Sequence, residues 1–147
     1  MFGLDKYNYF INTSGFDYEF ESIGNKGIIK KVASFTEIAK PSIYNFGFGD
    51  LDENKGEIID NISSNNGDHE KILVTLGYII LDFITQNPTA QILIKGTDER
   101  RTRLYQINIS KYWGYIQQNF EVYGLFGDKW QPFQKGKNYK AFLGRKL

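Results

Sequence analysis

The 147 residues are one domain's worth of chain, enough to bury a continuous core, and ten Tyr with twelve Phe argue against disorder. No cysteine is present, which excludes disulfides, thiolate catalysis and Cys-based zinc sites. The net charge of +1 is unevenly placed: residues 1–94 hold seven Lys/Arg against thirteen Asp/Glu, and residues 95–147 hold eleven against four. Either the two halves offset each other, or the second half presents a basic face.

The first ten residues, MFGLDKYNYF, lack the basic flank and long apolar run of a signal peptide. No apolar stretch reaches the length of a membrane span, so the expected protein is soluble and cytoplasmic. Residues 18–24 alternate Tyr18, Phe20 and Ser22 with Glu19, Glu21 and Ile23, the period of a half-buried strand. Asn25, Lys26 and Gly27 supply a turn, so 18–38 is predicted as a hairpin that Pro41 ends. A third strand follows at 42–51, with Tyr44, Phe46 and Phe48 on one face. Residues 52–66 are polar and are expected to form a long loop, of the kind that is often functional or mobile. Ile72, Leu76, Ile80, Phe83 and Ile84 recur at helical spacing and predict a helix over 67–87, stopped by Pro88. A short apolar strand at 90–96 leads into a second helix over 98–118. Thr97 or Asp98 is its N-cap, and Tyr105, Ile109, Tyr112, Trp113 and Ile116 are its buried stripe. A strand at 120–127, a turn or loop, and a last strand or tail at 139–147 complete the order β-β-β-α-β-α-β-β. The expected fold is α+β, a mixed, mostly antiparallel sheet with two helices in one domain, 1–147.

Three of the four arginines, Arg100, Arg101 and Arg103, fall within four positions at the start of the second helix. If strands 42–51 and 90–96 are parallel neighbours, both helices begin along one sheet edge, where open sheets bind ligands. Helix N-termini offer N–H groups and a positive dipole end to an anion, and guanidinium forks suit phosphate or carboxylate. The candidate anion site is therefore Asn66, Gly67 and Lys71 from the first helix start, with Thr97, Arg100 and Arg103 from the second. Cations there oppose the dipole, so acids are expected to offset them. Asp68, Glu70, Asp98 and Glu99 are available, and a network of ion pairs explains the same arginines without any ligand. Arg101, in line with Tyr105 and Ile109, is expected to lean inward and pair with Asp68. Arg103, about 200° away around the helix, is expected to face outward.

No pattern names a reaction, so no catalytic residue is assigned. His69 is the only histidine and cannot build a His-based metal site alone; with no Ser or Cys at readable spacing, it reads as a solvated first-turn residue. Asp50, Asp52 and Glu53 lack the Asp-x-Asp-x-Asp-Gly pattern of a calcium loop, and no metal is expected. Basic and aromatic residues mix at 126–130 and 139–142, as in single-strand nucleic-acid binders, but too sparsely to outrank a hairpin end.

The stretches IYNFGFGD (43–50), NNGDHEKILVTL (65–76) and GTDERRTRLYQI (96–107) resemble a family of short bacterial proteins known only as a domain of unknown function, over most of the chain. That resemblance implies no activity. It marks Asn66, Gly67, Asp68, Lys71, Thr97, Arg101, Arg103 and Tyr105 as the positions to test first. The element order is similar to the GCN5-related N-acetyltransferase fold, whose members hold the pyrophosphate of acetyl-CoA on an Arg/Gln-x-x-Gly-x-Gly/Ala loop. Here NNGDHEK occupies that place, with Gly67 but without the motif, and Asp68 would repel a pyrophosphate. Two functions follow. One is a non-catalytic binding or interaction protein without a cofactor, whose Arg-rich helix start recognises an anionic small molecule, a protein partner or a nucleic acid. The alternative is a CoA-dependent acyltransferase-like enzyme, with acetyl-CoA as cofactor and Tyr105 or Tyr123 as its acid.

Overall fold

The computed structural model describes residues 4–52, 57–59 and 66–147. The chain is α+β and divides into two compact units, 1–36 with 47–83, and 37–46 with 84–147.

The first unit is built on β1 (Phe10–Ile11), β2 (Asp17–Gly24), β3 (Gly27–Ala39), the later part of β4 (Ile43–Asp52), β5 (Glu57–Ile59) and α1 (His69–Gln86). β1 and β2 pair antiparallel, as do β2 and β3, closing the expected hairpin at Gly24 and Gly27. β3 lies beside β4, and β5 pairs antiparallel with β4. The expected loop at 52–66 thus contains a strand at 57–59; 53–56 and 60–65 lie outside the described residues. Alternation along β2 buries Tyr18, Phe20 and Ser22 and exposes Glu19 and Glu21. Opposite them in register, Ala33 and Lys31 share that buried face. α1 packs there: the Phe83 ring stacks on Phe35 at 3.9 Å, and Leu76 and Ile79 are buried beside it. Full burial of each such side chain stabilises by about 1.5–3 kcal/mol. Lys31, only 3% exposed, is ion-paired with Asp50 on β4.

The second unit takes the first residues of β4, then β6 (Gln91–Ile94), α2 (Glu99–Lys111), α3 (Trp113–Asn119), β7 (Phe120–Phe126), β8 (Lys129–Pro132) and β9 (Phe142–Lys146). Ile43 to Phe46 pair parallel with Gln91 to Ile94, the condition set for the two helix starts in the sequence reading. The β9 strand pairs antiparallel with both β6 and β7, and β7 with β8. The single helix expected over 98–118 is two helices. Tyr112 leaves helical geometry (φ −103°, ψ 17°), and its carbonyl accepts from both Tyr115 N–H at 2.9 Å and Ile116 N–H at 3.0 Å. That three-residue bond tightens one turn and divides the helix. The apolar stripe continues across the break: Tyr105, Ile109 and Trp113 pack on Phe133, Tyr139 and Phe142, with Ile94 and Val122.

Candidate functional site

The start of α2 is set by a short run of close contacts. Gly96 passes so near the helix that a Cβ there would fall 2.4 Å from the Thr102 nitrogen, and its N–H donates to Thr102 Oγ1 at 3.0 Å. Asp98 is the N-cap, with extended backbone (φ −148°, ψ 174°), and its Oδ1 accepts the Arg101 N–H at 2.8 Å. The Thr102 N–H and hydroxyl both donate to the Asp98 carbonyl at 3.1 Å. Oδ2 of Asp98 takes the Arg101 guanidinium at 2.5 Å. Within its own unit the partner of Arg101 is therefore Asp98, three residues back; Asp68, the expected partner, belongs to the first unit. One carboxylate serves as cap and counter-ion together, and an acid already in the first turn needs no long-range contact to reach it.

Arg103 is exposed, as expected, and its Nη1 donates to Asn138 Oδ1 at 3.2 Å. Arg100 is exposed and has no hydrogen bond or ion pair with the described residues; Thr97 is exposed beside it. At 100° per residue, Arg100, Arg103, Leu104, Ile107 and Lys111 fall within about 100° of one another. Leu104 is 39% exposed and Ile107 51%. The opposite face carries buried Thr102 and Gln106. Gln106 Oε1 accepts the Tyr139 N–H at 2.9 Å and its amide donates to the Lys137 carbonyl, so α2 is pinned to the chain entering β9.

The start of α1 belongs to the first unit and is built differently. Asn66 is 3% exposed. Its amide donates to Ser22 Oγ at 3.1 Å and to the Gly27 carbonyl at 3.0 Å, and accepts the Lys26 N–H at 2.5 Å. It clamps the β2–β3 turn. Gly67 follows with φ 79°, the left-handed region glycine favours. Asp68 Oδ2 accepts both the Tyr7 and Ser22 hydroxyls at 2.5 Å, while Oδ1 is buried with no hydrogen-bond partner. Burial, then the bond to Asp68, holds the Tyr7 hydroxyl above the ordinary phenol range. The Lys71 ammonium lies 3.5 Å from Asp5 and 4.3 Å from the Tyr7 ring centre. Asn66 and Lys71 thus have partners within this unit, whereas Arg100 and Arg103 share one exposed face of α2.

The other candidates are placed as follows. His69 is exposed at the first position of α1. Tyr105 packs against the core of its unit. Tyr123 donates to Glu121, which also takes Arg145 Nε at 3.0 Å. Those bonds from Arg145 and Tyr123 lower the Glu121 carboxyl, and the bond to Glu121 raises the Tyr123 hydroxyl. Phe46 is buried and Phe48 stacks on Phe20, so this face of β4 packs rather than lining a cleft. Asp50 is taken by Lys31; the Asp52 side chain and Glu53 lie outside the described residues. Phe126 and Trp130 are exposed, while Tyr139 and Phe142 are buried. Among the described residues no cluster of His, Cys, Asp and Glu is placed to hold a metal, and no helix is long and apolar enough to cross a membrane.

Sequence reasoning missed Tyr7, Ser22, Lys31 and Gln106. Ser22 and Lys31 carried a signal in the strand alternation, which puts both on the buried face.

The chain belongs to a family described as a family of unknown function (DUF6934), matched over residues 3–147. No curated protein and no solved structure matches it.

Proposed function

We propose that this chain is a non-catalytic binding module of the cytoplasm, and that the exposed start of α2 recognises an anionic group on its partner. One observation carries the reading. Arg100 and Arg103 share an exposed face, and neither meets a carboxylate among the described residues, while Arg101 between them is neutralised by Asp98. Recognition runs through the guanidinium forks, because the Asp98 carboxylate already fills the N–H of Arg101. The basic balance of residues 95–147 adds a favourable field for an anion.

Acyl transfer on acetyl-CoA is the less favoured reading. The place for a pyrophosphate at the start of α1 holds the Asp68 carboxylate and a buried, engaged Asn66. The Tyr123 hydroxyl, raised by Glu121, is a poorer acid than a free phenol.

A thermal-shift experiment separates the two, with polyglutamate, inorganic polyphosphate, a single-stranded oligonucleotide and acetyl-CoA as probes. A ligand at one hundred times its Kd stabilises by about 2.7 kcal/mol. The expected result is stabilisation by a polyanion at low salt, absent at high salt and absent in Arg100→Ala/Arg103→Ala. Stabilisation by acetyl-CoA alone, or a polyanion effect indifferent to both arginines, overturns the proposal.

A further inference from the structure

We infer that Asn66 is a deamidation site that the fold holds closed, so that opening of the β2–β3 turn is converted into a permanent change in the chain. Asn66–Gly67 is the one asparagine–glycine pair in the 147 residues. A glycine carries no side chain to shield its own nitrogen, so that nitrogen is able to close on the preceding side chain. The Gly67 nitrogen gives its proton to water or hydroxide and attacks Asn66 Cγ. The Cγ–Nδ2 bond breaks, Nδ2 takes up a proton, and ammonia leaves a five-membered imide behind. Water then opens the ring. Opening at Cγ leaves aspartate on the ordinary backbone, and opening at the Asn66 main-chain carbonyl routes the chain through Cγ. Water is the only co-reactant.

The fold demands both halves of this labile pair. Gly67 has φ 79°, and a Cβ there would lie 2.9 Å from the Asn25 side-chain nitrogen. Position 66 has to donate and accept at once. Its Nδ2 donates to Ser22 Oγ at 3.1 Å and to the Gly27 carbonyl at 3.0 Å, and its Oδ1 accepts the Lys26 N–H. An amide does both, whereas a carboxylate only accepts. The same bonds hold the reaction off. While the clamp is closed, Cγ is kept from swinging onto the Gly67 nitrogen, and at 3% exposure the group is screened from water. Local opening of the turn releases both restraints together. The product does not restore the clamp. A carboxylate oxygen in place of Nδ2 faces Ser22 Oγ and the Gly27 carbonyl, and the Ser22 hydroxyl proton is already given to Asp68 Oδ2 at 2.5 Å. Two acceptors then lose their donor in a buried place.

The test is incubation of the full chain in mildly alkaline buffer with and without urea, with exchange of the Asn66 amide for a carboxyl followed by mass spectrometry of its peptide. In urea Asn66 is expected to react before any other asparagine. In the folded chain it is expected to react about tenfold more slowly or less, because the reaction waits on opening. Asn66→Asp, which stands for the product on the ordinary backbone, is expected to lower the urea midpoint. It is also expected to speed amide exchange at Asn25, whose N–H donates to the Asn66 carbonyl at 3.0 Å. A variant that fails to fold agrees with the lowered midpoint, and the two rates on the unaltered chain still decide whether the fold protects the site. Equal rates with and without urea, or an Asn66 that stays intact in urea, overturn the inference. Asn66→Asp with an unchanged midpoint and unchanged exchange at Asn25 overturns it as well, since the product would then close the clamp again.

Discussion

Asp98 holds Arg101 twice, taking its backbone N–H at 2.8 Å and its guanidinium at 2.5 Å. The two contacts differ in what they contribute. The cap satisfies a helix-end donor, while the ion pair is screened, with the two side chains 26% and 49% exposed. Asp98→Ala is therefore expected to lose about 0.5–2 kcal/mol, and Arg101→Ala no more than about 1 kcal/mol, by urea unfolding. A loss above about 3 kcal/mol for Arg101→Ala would mean that this side chain pairs with a buried carboxylate instead.

The Lys31–Asp50 pair is the opposite case. Lys31 is almost wholly buried, so Asp50→Ala removes the carboxylate from a buried ammonium and is expected to cost about 3–5 kcal/mol. The double variant Lys31→Met/Asp50→Leu is expected to recover much of that loss, since no charge then remains to be compensated. Equal loss in the single and double variants would show that the pair matters through packing alone.

Gln106 ties α2 to the chain before β9. Gln106→Leu leaves the Tyr139 N–H and the Lys137 carbonyl without this partner, at about 1–3 kcal/mol for each group that stays unpaired. Amide exchange at Tyr139 should speed up with it. Unchanged exchange at Tyr139 would place its protection elsewhere.

Much of the fold is legible in the sequence where the signal is local. Of the expected stripe on the first helix, Leu76, Phe83 and Ile84 are buried, while Ile72 and Ile80 are half-buried. The parallel pairing of 42–51 with 90–96 is the condition on which the expected sheet-edge site stands, and Tyr44 does lie opposite Ile92. The break at Tyr112 is not legible, because the stripe of Tyr105, Ile109 and Trp113 continues through it unchanged. Asn66 and Gln106 are opaque for another reason. Their burial depends on partners far away in sequence, Ser22 and Tyr139, and polar residues carry no periodic signal of their own. The candidate site divides in the same way. The outward face of Arg103 follows from helix geometry. The identity of the Arg101 counter-ion required knowing which nearby acid serves as the cap.

Stability should fall at alkaline pH. Burial, and then the Asp82 carboxylate, pushes the Tyr18 hydroxyl up to about 12, and burial raises Tyr7 and Tyr9 as well. An unfolded Tyr titrates near pH 10, so between about pH 10 and 12 the unfolded chain binds fewer protons than the folded one. The stability from these neutral, buried hydroxyls is complete below pH 10 and is lost as pH rises through the folded values. Urea midpoints from pH 8 to 12 check this, and Tyr9→Phe should flatten the decline. A midpoint that holds steady through pH 12 would contradict it.

Anisotropy titration of a labelled polyglutamate peptide reaches the central claim most directly, comparing the wild-type chain with Arg100→Glu/Arg103→Glu at low and high salt. The account predicts binding to the wild type that weakens with salt, as expected for exposed charges whose attraction is screened over about 10 Å at 0.1 M. It predicts a loss of about tenfold or more in the reversed variant, with the urea midpoint unchanged because both side chains are exposed. Equal affinity of the two proteins for the peptide would contradict it.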